Sequence, residues 1–86
     1  MRESAEQFRR AVVRVIREER ERQRIPVDEL VRRGDFQRGT LLRYLYTDRD
    51  LPITALYRIA VGLGIEPAEI VARAAQLFSE RVSDSE

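Results

Sequence analysis

Apolar residues recur at helical spacing in five stretches of the chain, and no stretch alternates long enough to predict a strand. Phe8, Val12, Val15 and Ile16 make the first stripe, with Arg10, Arg14, Arg17 and Glu21 on the opposite face. Ser4-Ala5-Glu6-Gln7 has the spacing of a capping box, which predicts a helix start at Ser4. Pro26 forbids continuation past about Gln23. A short second helix is predicted from Pro26, with Asp28 and Glu29 favourably placed in its first turn and Leu30 and Val31 turned inward. Gly34-Asp35 breaks it.

The third helix is predicted from about Gln37 to Tyr46, with Leu41, Tyr44 and Leu45 as inward residues. Gly39 lies inside it and costs about 1 kcal/mol relative to alanine, so something other than helix propensity favours a small residue there. Pro52 opens a fourth helix carrying Ile53, Leu56, Ile59, Ala60 and Leu63, with Gly64 as its C-terminal glycine. Pro67 opens a fifth, striped by Ile70, Val71, Ala74, Leu77 and Phe78. The expectation is an all-α, compact five-helix domain over residues 1–78, followed by a flexible acidic tail over 79–86. Nothing after residue 78 is expected to fold separately.

Composition narrows the chemistry. The 86 residues include no cysteine and no histidine, which removes disulfides, thiolate sites, the commonest general base and the commonest zinc ligand. All 16 basic residues are arginine, so Schiff-base lysines and the phosphate-binding lysine of a P-loop are missing too. No enzyme, cofactor, metal or small-molecule ligand is predicted. The net charge of +1 conceals an asymmetry, since residues 1–46 hold 12 Arg against 8 acids and residues 47–86 hold 4 Arg against 7. A basic front half suits a polyanion on one side. There is no apolar run of membrane-spanning length and no signal-peptide core, so no membrane partner is expected and the predicted location is cytoplasmic.

Two short helices joined by a tight turn and flanked by packing helices form a helix-turn-helix pattern. The stretch from Val27 to Tyr44 resembles the helix-turn-helix of the lambda-repressor-like (XRE/Cro-type) family. The run Leu56-Tyr57-Arg58-Ile59-Ala60-Val61-Gly62-Leu63-Gly64-Ile65-Glu66-Pro67 resembles that family's fourth helix and its entry into the fifth. The likeness covers about Phe8 to Ala74. Departures are Pro26-Val27 where the family has Ser-Gln, and Val31 where it has alanine. The turn glycine stands at Gly34 rather than at Asp35. Leu45-Tyr46-Thr47-Asp48 replaces a Glu-x-Gly loop.

The resemblance implies a sequence-specific, double-stranded DNA-binding transcriptional regulator, a phage Cro-like or antitoxin-like repressor, with its third helix in the major groove. By position, Arg38, Gly39 and Arg43 would face the bases, because arginine can bond guanine O6 and N7 together and glycine admits close approach. Gln37, Thr40, Tyr46 and Arg49 would contact the DNA backbone. The family works as a homodimer with third helices about 34 Å apart. Ile70, Ala74, Leu77 and Phe78 on the fifth helix are the expected interface, or else they fold back and complete the monomer core. Leu42 and Leu45 stand where the family has polar residues, so they predict an exposed apolar patch. That patch motivates the alternative, a helix-turn-helix fold used as a protein–protein interaction module such as an antirepressor or polymerase-binding factor.

Overall fold

Each apolar stripe becomes a helix in the computed structural model, which describes residues 2–84. The order is α1 (Arg2–Gln23), α2 (Val27–Gly34), α3 (Arg38–Tyr46), α4 (Ile53–Leu63) and α5 (Pro67–Asp84). No strand occurs among the described residues. The all-α five-helix architecture expected from the pattern is the one observed. Pro26 and Pro52 stand one residue ahead of α2 and α4, both extended at φ −62, and their carbonyls accept the first amide bonds of those helices. Ser4 is not a cap, since α1 is already helical at Arg2.

Three helices end in the same way with three different residues. Arg24 (φ 57), Asp35 (φ 57) and Gly64 (φ 71) each turn left-handed. Each is followed by an amide that reaches back five residues: Ile25 to Arg20 O at 3.0 Å, Phe36 to Val31 O at 2.9 Å, and Ile65 to Ala60 O at 3.1 Å. This double-bonded ending satisfies carbonyls that the helix leaves open. Glycine does so without steric cost at Gly64, as the sequence predicts, whereas Arg24 and Asp35 carry the Cβ penalty.

Every helix contributes to one core. Ile16, Leu30, Leu41, Leu45, Ile59 and Ile70 are all less than 2% exposed. Removing any of them to alanine should cost about 2–5 kcal/mol. α5 lies antiparallel to α1, because Phe8 meets Phe78 edge-on at 5.8 Å while Glu19, later in α1, meets Arg73, earlier in α5. The α1 stripe needs a cover, and α5 supplies it. Of the residues expected at a dimer face, Ile70 and Ala74 are fully buried within one chain, as in the fold-back alternative, while Leu77 and Phe78 are half-buried, Leu77 on the core and Phe78 against Phe8. The expected tail is also shorter, since helix continues from Phe78 to Asp84. Ser85 and Glu86 lie outside the described residues.

α2 and α4 cross at two glycines. A Cβ added to Gly62 would lie 2.6 Å from Leu30 Cδ1 and 3.6 Å from the Gly34 amide nitrogen. One added to Gly34 would lie 2.7 Å from Phe36 Cε2 and 3.1 Å from the Arg58 carbonyl oxygen. Arg33 donates to Gly62 O and Arg58 to Gly34 O, so each helix feeds a guanidinium to a carbonyl of the other. Arg58 also stacks on Phe36, 4.4 Å from the ring centre. Gly34 therefore precedes the turn because the helix crossing needs it, and Asp35 is left to adopt the left-handed turn.

A buried carboxylate ties the remaining helices. Glu19 is 2% exposed and accepts from Arg22, from Gln23 at 2.7 Å and from Arg73 at 2.8 Å. Gln23 also donates to Leu63 O, so the cluster joins α1, α4 and α5. These hydrogen bonds, Arg22's foremost, hold the Glu19 carboxyl at a pKa of about 2 against the opposing effect of burial.

Candidate nucleic-acid interface

α3 divides cleanly into an inner and an outer face. Leu41 and Leu45, one turn apart, are buried, and Tyr44 is half-buried against Phe36. Arg38, Gly39, Arg43 and Tyr46 are exposed, with Gly39, Arg43 and Tyr46 spaced four and three apart on one face. Leu45 thus belongs to the core and Leu42 is half-buried, which removes the apolar patch expected there. Exposed apolar side chains occur instead on α4, where Ile53 (81%), Tyr57 (60%) and Val61 (55%) recur every four residues. Ile53 is thus exposed although the apolar stripe of the sequence includes it. The inward phase of α4 is set by Ala55, Leu56, Ile59, Ala60 and Leu63, and it leaves Ile53, Tyr57 and Val61 facing out.

The glycine in α3 has no internal reason. A Cβ on Gly39 would meet only Arg43 Nη2, at an ordinary 3.8 Å, and the residue has no positive φ. Gln37 is the N-cap of α3 yet makes no side-chain capping bond, so its amide remains available. Thr40 is half-buried and Arg49 exposed in the loop after α3. That loop begins where Thr47 closes the helix by donating its hydroxyl to Arg43 O at 2.6 Å.

The arginines sort by partner. Arg32 and Arg33 share Glu29, whose pKa they lower, Arg32 first. Arg38 pairs with Asp28 at 2.8 Å. Among the described residues, Arg17, Arg20, Arg24, Arg43, Arg49 and Arg58 have no carboxylate within 4.0 Å. Arg17 stacks on Tyr46, 4.7 Å from the ring centre, and Arg20 donates to the Tyr46 hydroxyl at 2.8 Å. Beside them Asp48 accepts from Arg9 at 3.0 Å and from Arg10 at 3.3 Å. Its pKa is lowered by these bonds, Arg10's first.

Comparisons with protein-family models, with curated proteins and with solved structures find no match. α3 presents Arg38, Gly39, Arg43 and Tyr46 together, with Gln37 at its start. It does not bring Ile70 and Ala74 to any surface. In the sequence Arg10, Arg14 and Arg17 stand on the face opposite the apolar stripe of α1. Their four-and-three spacing was visible, but their approach to Tyr46 depends on how α1 packs on α3. No group of three or more carboxylates arranged to hold a metal occurs among the described residues, and no helix there is long and apolar enough to cross a membrane.

Proposed function

We propose that this chain is a sequence-specific, double-stranded DNA-binding transcriptional regulator of the lambda-repressor-like helix-turn-helix kind, a repressor that lays α3 in the major groove. The observation that carries the reading is Gly39: the helix accepts the cost of glycine at an exposed position where the chain itself would tolerate a side chain. A partner that must approach the backbone closely accounts for that cost, and a base edge beside Arg43 is such a partner. Arg38 and Arg43 would contact bases. Gln37, Thr40, Tyr46 and Arg49 would contact the sugar–phosphate backbone. The role would place the chain in the cytoplasm.

Selection of bound sequences from a random duplex pool tests this. The expected result is an enriched site that contains guanine. Arg43→Ala should relax preference at one base pair and cost about 1–3 kcal/mol. No enrichment, together with no binding at low salt, would contradict the reading, because phosphate contacts alone make nonspecific binding visible there.

A second reading rests on the exposed α4 residues Ile53, Tyr57 and Val61. In it the fold serves protein association; under the first reading the same stripe, rather than α5, would hold the second copy of a DNA-bound homodimer. Sedimentation with and without duplex separates the two. A dimer that Tyr57→Arg dissolves, with loss of DNA affinity, supports the regulator. A DNA-inert dimer supports the association module.

A further inference from the structure

The arginines on α1 that face the end of α3 form a second anion site. Arg9, Arg10, Arg14, Arg17, Tyr46 and Asp48 line an open cleft of about 240 Å³. A water takes about 30 Å³ in the liquid, so a phosphodiester group has room there. One end of the cleft is already neutralised, since Asp48 sits on Arg9 and Arg10. The other end is neutralised only at Arg14. Arg14 is held only by its helix neighbour Glu18 at 2.7 Å, and Arg17 has no carboxylate within 4.0 Å among the described residues. Tyr46 presets this end, with Arg17 on its face and Arg20 on its hydroxyl. Guanidinium groups fixed in this way bind phosphate with little further loss of side-chain freedom.

The cleft is continuous with the face assigned to base reading. Tyr46 lies three residues beyond Arg43 on the same side of α3, a rise of about 4.5 Å, and it is also a wall of the cleft. We propose that Arg17, braced by Tyr46, and its neighbour Arg14 clamp a DNA backbone phosphate flanking the groove occupied by α3, and that Asp48 limits the site to this end of the cleft. The assignment rests on the DNA-binding reading above and extends its footprint from α3 onto α1.

Titration of the full chain with a mixed-sequence duplex at several salt concentrations, read by fluorescence anisotropy, tests the clamp. Each neutralised phosphate contributes about 0.9 to the slope of log K against log salt. Arg14→Ala/Arg17→Ala should lower that slope by about one and weaken all sequences alike by about tenfold. Arg17→Lys should keep most of the slope. Arg32→Ala, whose side chain is held by Glu29 outside the cleft, should change neither. Asp48→Asn should tighten binding severalfold. Arg14 and Arg17 are exposed, so the substitutions leave the core intact, and matching thermal melts check this. The proposal is overturned if the double variant keeps the wild-type slope and affinity while Arg43→Ala still loses base preference. That result would leave the base-reading assignment standing. Failure of the wild-type chain to bind any duplex at low salt would overturn both.

Discussion

Gly62 and Gly39 are both helical glycines, and they answer to different demands. At Gly62 the neighbours are inside the molecule, with Leu30 Cδ1 only 2.6 Å from where a Cβ would stand and the Gly34 backbone just beyond. At Gly39 only the tip of Arg43 lies within 4 Å, and that tip can swing away. Gly39 stands in the first turn of α3 and Gly62 in the last turn of α4, so the helix-propensity cost at each is at most about 1 kcal/mol against alanine. Only one of the two returns that cost in packing. Glycine composition or helix position cannot separate the cases; the surroundings can.

The largest test of the contrast is Gly62→Val. Adding bulk against the fully buried Leu30 should destabilise the chain by about 2–3 kcal/mol, because a packed core absorbs extra methyl groups poorly. In a domain of this size that lowers Tm by roughly 8–20 °C. If chemical denaturation finds Gly62→Val as stable as the wild type, the close α2–α4 crossing is wrong.

Glu19→Gln probes the same packed half without a glycine. It weakens the acceptor shared by Arg22, Gln23 and Arg73, and the loss should be about 1–3 kcal/mol at neutral pH. The Glu19 carboxyl is held below its ordinary value, so its contribution is complete above about pH 4.5 and is lost as pH falls toward about 2. The wild type should therefore lose its margin over the variant across that window. A constant difference between the two proteins down to pH 2 would remove the Glu19 cluster from the account.

Asp35→Gly asks for glycine where the backbone wants one and the chain lacks it. The left-handed turn at φ 57 should relax, raising stability by about 0.5–1 kcal/mol in urea titrations. A loss of stability would mean that Asp35 contributes more through its side chain than its backbone costs.

The sequence shows the number and order of the helices because each stripe has a helical period and each break has a proline or glycine to cause it. It marks Gly64 as a helix end for the same reason. Phase across the core is less visible. The stripe of α3 puts Leu45 inside whereas the resemblance puts it in an exposed patch, and packing follows the stripe; Ile53 loses its expected burial to the neighbouring stripe on α4. The α5 stripe was legible, but not what covers it, because Ile70 and Ala74 would look the same in a dimer seam as against α1. The arginines were the hardest to read. Sixteen identical side chains differ only in the partners that tertiary contacts supply, such as Glu29 for Arg33 and Tyr46 for Arg17.

Gly39→Ala carries a change in stability as small as that of Asp35→Gly and tests the central claim most directly. Its folding free energy and its affinity for mixed-sequence duplex DNA should be measured in the same buffer. An externally imposed glycine predicts opposite signs: the variant gains about 0.5–1 kcal/mol of stability and binds DNA more weakly. A variant that is less stable than the wild type, or that binds duplex DNA equally well, would contradict the assignment of α3 as the face that meets DNA.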